Sequence, residues 1–295
     1  MTSTKTRTLQ ISAIAVVSMF LCWSVAGRAQ GTGTTDPTIQ LRVLRAAASA
    51  LGQIRMSDIG MANPPLPLVD VVTTMEISGK GTVFIDGKPT DATYTAAFAY
   101  IPAAMRVEIK GESGGNAVHT IQTVREEYAW NESERGAGLI PGKGTATPAM
   151  ASAKSRLLQL WILPYGVVKA AIAAGDKTTI STAQGSTVIT FPLSGALAGV
   201  AVTATLDAKN FITKVVTKPD NAAAADLVYE AEYSDYADHG EILTDVKSPG
   251  RIVQKVAGKP LLDVKITKVD ANNPYLVFPV PPSVKAARTQ AGSSR

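Results

Sequence analysis

The chain has 295 residues, of which 45% are apolar and 18% are charged, and its formal net charge is +5. This composition is too apolar for a disordered chain, and the glycines and prolines lack the three-residue period of a collagen-like rod. The charge surplus is small and forms no basic stripe, so no nucleic-acid partner is expected.

Residues 1–29 have the pattern of a signal peptide. Lys5 and Arg7 precede an uncharged run from Thr8 to Gly27, which ends in small residues. Cleavage is predicted near Ala29, which would make the protein periplasmic or secreted. An uncleaved anchor is the alternative, because about twenty uncharged residues are just long enough to span a bilayer. The single cysteine, Cys22, lies in this segment, so no disulfide is expected in the remaining chain.

A first helix is predicted shortly after the signal peptide. Residues 30–37 are rich in Gly and Thr and are predicted to be a flexible leader. Apolar residues then recur at spacings of three and four up to Ile54, after an N-cap at Asp36 and a proline at Pro37. The pattern predicts one amphipathic helix of about 18–25 residues.

The period of the apolar residues changes to two after Pro67. Tyr94 and Phe98 share one face of a predicted strand, and a further β-like run extends over 118–130. Turn-forming clusters such as Asp86–Pro89 separate these runs, as in antiparallel hairpins. Strands resume over 178–269, with turns at 207–210 and 258–260, and residues 283–295 are predicted to be a disordered tail.

A second helical stretch, residues 154–174, interrupts the strands. Leu157, Leu160 and Trp161 recur at spacings of three and four and therefore occupy one helix face. Pro164 must break or kink the helix, which predicts two short helices or one bent helix. The preceding loop, 136–148, is rich in Gly, Pro and Thr, so the segment is predicted to be a short lid that swings over the sheet.

Helices thus punctuate one continuous run of strands. The sequence predicts a single α+β domain over residues 38–282, with about nine to eleven antiparallel strands. One face of such a sheet is wet, and the helices should cover the other.

No catalytic or metal-binding constellation is predicted. Ser113 lies in a Gly-x-Ser-x-Gly segment, but β pattern flanks it on both sides and no histidine precedes His119. Asp235, Asp238, His239 and Glu241 form a polar group that lacks the spaced acidic residues of a calcium loop. We therefore expect no cofactor, no metal and no enzymatic activity, with Ser113 and both histidines dispensable.

Two levels of resemblance to known proteins are visible. The order of helix, strands, helical insertion and strands, together with Ile101–Glu108, resembles the periplasmic outer-membrane lipoprotein carriers of the LolA/LolB-like group. That resemblance implies a curved antiparallel β half-barrel covered by the N-terminal helix and the helical insertion.

A closer resemblance is to uncharacterised secreted bacterial proteins and to the region that precedes the metallo-β-lactamase-like domain of some secreted hydrolases. It is carried by Tyr128–Glu132, Leu163–Ala171, Arg251–Lys255, Leu262–Val264 and Asn273–Tyr275. The His-x-His-x-Asp-His segment of those hydrolases is absent from the sequence, so metal-dependent hydrolysis does not carry over.

These observations predict a non-enzymatic binding module. A groove between sheet and helices would accept an acyl chain, a lipid or a lipoprotein, with Tyr94, Phe98, Leu157, Leu160 and Trp161 as the candidate ligand-binding residues. A transient contact with a membrane or membrane protein is compatible with this function. The alternative is a structural or interaction domain with a closed core and no small ligand, which assists a separate enzyme.

Overall fold

The first helix begins where its capping residues predict. The computed structural model describes residues 33–54, 72–238 and 245–293, so the predicted signal peptide lies outside the described residues. Helix α1 (Pro37–Ala50) is capped by the Asp36 side chain, which accepts a hydrogen bond from Thr38 N at 2.8 Å. It has 14 residues, fewer than predicted, because the chain turns at Gly52 with φ +71°.

The segment before α1 is partly ordered, which corrects the prediction of a flexible leader. Thr34 N donates to Ile180 O at 2.7 Å, and Ile180 N donates to Thr34 O at 2.9 Å. Ile180 lies in the last strand of the sheet, and such an edge strand presents backbone groups that need partners. The leader supplies two of them.

Fifteen strands lie in the described residues. In chain order they are β1 (Thr74–Ile85), β2 (Lys88–Tyr100), β3 (Ala103–Ser113), β4 (Asn116–Arg125), β5 (Tyr128–Glu132), β6 (Ala146–Pro148), β7 (Thr179–Ala183), β8 (Ser186–Pro192), β9 (Val200–Leu206), β10 (Ile212–Pro219), β11 (Tyr229–Ser234), β12 (Ala237–Asp238), β13 (Lys247–Ser248), β14 (Arg251–Val256) and β15 (Lys259–Ala271).

Thirteen of these strands form one open antiparallel sheet in the order β6-β5-β4-β3-β2-β1-β15-β14-β11-β10-β9-β8-β7. The count exceeds the prediction partly because the run 118–130 is two strands: Glu126 takes φ +52° in a turn between β4 and β5. The short edge strand β6 also carries no alternating pattern of its own. Strands β12 and β13 pair only with each other.

The sheet is strongly curved, as the predicted half-barrel requires. Helix α2 (Ala153–Trp161) contacts β3, helix α3 (Pro164–Ala174) contacts β8, and the two helices contact each other. In the strand order, β3 and β8 are eight spacings apart, which would be about 38 Å in a flat sheet. Two touching helices reach both strands only because the sheet bends around them. Together with α1 they cover its concave face and enclose the main core.

The helical insertion is broken as Pro164 predicts. Helices α2 and α3 meet at an angle of 95°, and Pro164 occupies the first turn of α3, where its missing N–H costs nothing. Among the described residues, no single helix is long and apolar enough to cross a membrane. The bent pair Met150–Trp161 and Pro164–Lys177 meets that test of length and composition only when taken together.

The C-terminal segment lies on the opposite, convex face, and it corrects the prediction of a disordered tail. Residues after β15 cross the sheet with Phe278 packed on Ala97, Ala99 and Ala104. Helix α4 (Pro282–Ser293) follows, and its Val284 packs against Trp130. The tail is ordered because this apolar residue, hidden in a polar stretch, buries a tryptophan on the outer side of the sheet.

Candidate functional site

The five predicted ligand-binding residues lie between the sheet and the helices, but they do not surround one space. Phe98, Leu157 and Leu160 are only 1%, 4% and 0% exposed and belong to the packed core. Tyr94 borders one cavity, and Trp161 borders another. Ligand contact by these five residues therefore stays a prediction. Of the five, Tyr94 and Trp161 line cavities in which a ligand would contact them.

The cavity beside Tyr94 has a volume of about 190 Å³. Strand alternation directs Tyr94 and its cross-strand partner Ile109 to the concave face, where Val83, Val107 and Leu262 complete apolar walls. These side chains come from β1, β2, β3 and β15, which are neighbours in the sheet. We call this space the Tyr94 cavity.

Two glycines of β1 lie in the sheet beside Tyr94 and its neighbour Ala92. Gly79 lies opposite Tyr94, and Gly81 lies opposite Ala92. A Cβ atom on Gly79 would stand 2.1 Å from Lys265 O, and one on Gly81 would stand 2.1 Å from Asp263 O. Because β15 passes so close, no side chain is tolerated at either position. The sheet therefore carries no side chain at the two positions that pair with Tyr94 and Ala92.

The polar part of the lining of the Tyr94 cavity is almost uncharged. It includes Thr120 and Gln122 of β4 and Gln159 of α2. Gln159 Nε2 donates to the Tyr229 hydroxyl at 3.0 Å, which leaves its side-chain oxygen as an acceptor. Thr120 Oγ1 is buried and has no hydrogen-bond partner within the described chain. Burial raises the pKa of Tyr94, so its phenol is neutral.

The second cavity is smaller, about 110 Å³, and we call it the Trp161 cavity. Its walls are mainly small or aliphatic side chains, including Ala170 and Leu193. The Trp161 ring lies 5.6 Å from the Tyr100 ring between centroids. Lys169 Nζ lies 4.7 Å from the centroid of the Tyr100 ring and donates to Val72 O at 2.8 Å. Burial lowers the pKa of Lys169 to about 8.

The helical insertion is fastened at both ends of α2. Buried Arg156 donates from Nη1 to Thr123 O at 3.0 Å and to Trp130 O at 2.7 Å, and from Nη2 to Asn131 Oδ1 at 2.6 Å. Burial lowers the pKa of Arg156 to about 10, so the guanidinium stays charged at neutral pH. Beyond the other end of α2, Tyr233 donates to Ile162 O at 2.7 Å. The insertion covers the sheet as predicted, but swinging it as a lid would break these bonds.

A charged cluster lies on the opposite face of the sheet, beside a surface pocket of about 390 Å³. At its centre is Glu108, whose side chain is 7% exposed. Glu108 Oε1 lies 2.7 Å from Lys110 Nζ and 2.9 Å from His119 Nε2, and Oε2 accepts from Arg135 Nε at 2.5 Å. Burial alone would raise the pKa of Glu108, but the hydrogen bonds from Lys110, Arg135 and His119 and the charge of Arg135 lower it to about 2.

This cluster is self-compensated. Glu108 already accepts from three basic side chains, and Arg135 also lies 3.5 Å from the Glu76 carboxylate. An added anion would compete with Glu108 for the cations, and an added cation would compete with them for Glu108. The cluster therefore ties the loop after β5 to the sheet. The alternation of Arg106, Glu108 and Lys110 is visible in the sequence, but nothing there indicates that Arg135 reaches them.

The serine and the first histidine are too far apart to act together. Ser113 ends β3 opposite Asn116, and His119 lies opposite Lys110, three residue pairs further along the hairpin, a distance of about 10 Å. The His119 ring forms a hydrogen bond with the Glu108 carboxylate. His239 and Glu241 lie outside the described residues. Within the described ranges, no group of three or more His, Cys, Asp or Glu side chains is placed to hold a metal ion.

Comparisons with known proteins complete the description. No protein-family model matches the chain, and no curated protein matches it. Among solved structures, the chain is similar to a domain from Vibrio parahaemolyticus that is provisionally described as an outer membrane lipoprotein-sorting protein domain. The similarity has a TM-score of 0.44 and 7% sequence identity, and covers 79% of this chain and 94% of that chain.

Proposed function

We propose that the protein is a non-enzymatic binding module that holds an apolar chain, such as the acyl chain of a lipid or lipoprotein, in the Tyr94 cavity. The observation that carries the proposal is an apolar recess on the concave face of an open sheet, partly walled by the aromatic ring of Tyr94. Ligand sites are typically concave and mostly apolar, with a few polar groups at one side. The Tyr94 cavity has this composition.

The volume of the cavity limits what it holds. Drug-sized ligands occupy pockets of roughly 300–1,000 Å³, whereas the Tyr94 cavity has about 190 Å³. It suits the head group and the first carbons of a single chain, with the rest of that chain outside. Since α2 is fastened by Arg156 and Tyr233, we place entry at the side where Gln122 is exposed.

The charged pocket around Glu108 is a weaker candidate, because its ionic groups already satisfy each other. The alternative function, a closed interaction domain without a small ligand, is favoured by the dense packing of Phe98, Leu157 and Leu160. We further propose that the protein acts after export, on the basis of the basic and apolar pattern of residues 1–29.

The test uses N-phenyl-1-naphthylamine, an uncharged apolar dye whose fluorescence rises in apolar surroundings. Saturable binding to the folded protein is expected. Gln122→Trp, which places a bulky side chain at the cavity, should weaken binding at least about tenfold. The matched control is Ala117→Trp, an exposed position of the same strand that points to the opposite face. Absence of saturable binding, or equal loss in both variants, would contradict the proposal.

A further inference from the structure

We propose that the Tyr94 cavity selects ligands whose head group is uncharged and forms hydrogen bonds, such as esters, amides and alcohols, over ionised fatty acids. The inference rests on the proposed function and adds the chemical class of the ligand. It is carried by the charges and hydrogen-bonding groups of the cavity lining.

The lining offers no partner for an anion. Among the described residues that border the Tyr94 cavity there is no Lys, Arg or His, and the one charged residue is Asp86. A carboxylate enclosed by apolar walls loses its hydration, and it is tolerated only where a cation replaces that hydration. Here the negative charge of Asp86 would add repulsion.

Strand geometry keeps the nearby cations away from the cavity. Lys110 follows Ile109 directly in β3, but successive side chains of a strand point to opposite faces. Lys110 therefore lies with Glu108 on the convex face. His119 does the same beside Thr120 in β4. The alternation that makes the cavity apolar also removes the charges from it.

Uncharged polar groups are present instead. Gln122 and Gln159 each carry an amide that donates and accepts hydrogen bonds. Gln159 already uses one N–H to donate to the Tyr229 hydroxyl. Thr120 Oγ1 lacks a partner in the described chain, so it is the kind of group that gains from a new hydrogen bond. An ester carbonyl or a hydroxyl matches these groups without bringing a charge into the recess.

The experiment measures displacement of N-phenyl-1-naphthylamine by three probes with the same twelve-carbon chain: dodecanol, methyl laurate and laurate. Dodecanol and methyl laurate are used below their solubility limits, and laurate below its micelle concentration. At about pH 8 laurate is ionised. Dodecanol and methyl laurate are expected to displace the dye at concentrations at least about tenfold lower than laurate. Lowering the pH should reduce this difference, because laurate then binds as the neutral acid.

A gain-of-charge variant tests the cause. Gln122→Lys supplies the missing cation at an exposed position and should improve the displacement by laurate, relative to that by dodecanol, about tenfold. Ala117→Lys adds the same charge on the opposite face and should leave the preference unchanged. If laurate displaces the dye as well as dodecanol does, or if both lysine variants act alike, the inference is wrong while the proposed function stands. If the dye itself does not bind, the proposed function fails.

Discussion

Glu108 shows how one buried carboxylate can stabilise the protein without serving a ligand. Its folded-state pKa is about 2, well below the ordinary value of 4.5. The folded state therefore favours the ionised carboxylate more than the unfolded state does. The resulting stabilisation is fully present above about pH 4.5 and is lost as the pH falls through about 2.

Glu108→Gln is expected to lower the free energy of unfolding at neutral pH. The loss should be about 1–2 kcal/mol, at or below the low end of the range for charged hydrogen bonds, because water screens the half-exposed partners Lys110, His119 and Arg135. The difference between variant and wild type should shrink toward zero below about pH 2. Urea unfolding followed by circular dichroism over this pH range measures it.

The matched control is Glu112→Gln, an exposed carboxylate of the same strand and the same face. It should change the free energy of unfolding by less than about 0.5 kcal/mol at any pH. A constant offset for Glu108→Gln from neutral to acid pH would show that its packing, and not its charge, stabilises the fold.

Single residues were predictable where their role is local. Asp36 caps α1 through a residue two positions away, and Tyr94 faces inward because strands alternate. Glu108 and Arg135 are 27 positions apart and meet only through the path of a loop. No local pattern encodes such a contact, so the sequence analysis missed the cluster.

At the scale of elements, the break at Pro164 was predictable because proline cannot occupy a helix interior. The contacts that hold α2 on the sheet were not predictable. Arg156 reads in the sequence as one more charged residue of an amphipathic helix, yet it is 7% exposed and fastened to β4 and β5. Its role depends on strand carbonyl groups that approach it from 26 and 33 positions away.

Helix α4 provides an element-scale prediction. Val284 is 0% exposed and packs with Val280 against Trp130, which is also 0% exposed. Val284→Ala should therefore lower the free energy of unfolding by about 1–2 kcal/mol, since buried methyl groups are lost and leave a small cavity. Chemical unfolding measures the loss. Lys285→Ala, at the exposed neighbouring position, should have an effect within about 0.5 kcal/mol.

If both substitutions have an equally small effect on the free energy of unfolding, α4 is not docked on the sheet, and the prediction of a disordered tail is correct after all. The tail prediction failed because a disordered segment and a surface helix share a polar composition. A single large apolar residue in a short helix, here Val284, is a weak signal, and Trp130 gives no local indication that it lies on the outer face.

At the scale of the whole molecule, the sequence predicts the class of fold and the order of elements. Hairpin neighbours such as β2 and β3 follow from turn chemistry. The junction of the two halves of the sheet does not: β1 pairs with β15, and Met75 lies opposite Ala271 although nearly the whole domain separates them in sequence. That pairing joins the two halves of the concave surface and brings Val83 and Leu262 together in the lining of the Tyr94 cavity, so the site depends on a contact that periodicity cannot predict.

The two functions proposed for the whole molecule differ in how its stability responds to a ligand. A ligand that binds only the folded state adds about 2.7 kcal/mol to the free energy of unfolding at a hundred times its dissociation constant. If the Tyr94 cavity binds an apolar chain, dodecanol should stabilise the wild type by about this amount in thermal unfolding.

Two variants locate the bound chain. Gln122→Trp should abolish the stabilisation by dodecanol, because it obstructs the Tyr94 cavity. Trp161→Ala should unfold at lower temperature but keep the stabilisation, since Trp161 lines the other cavity. If only Trp161→Ala loses the stabilisation by dodecanol, the ligand binds in the Trp161 cavity instead. If the protein is a closed interaction domain, dodecanol should stabilise none of the three proteins. Trp161→Ala would then only lower the free energy of unfolding, by about 3–5 kcal/mol at most.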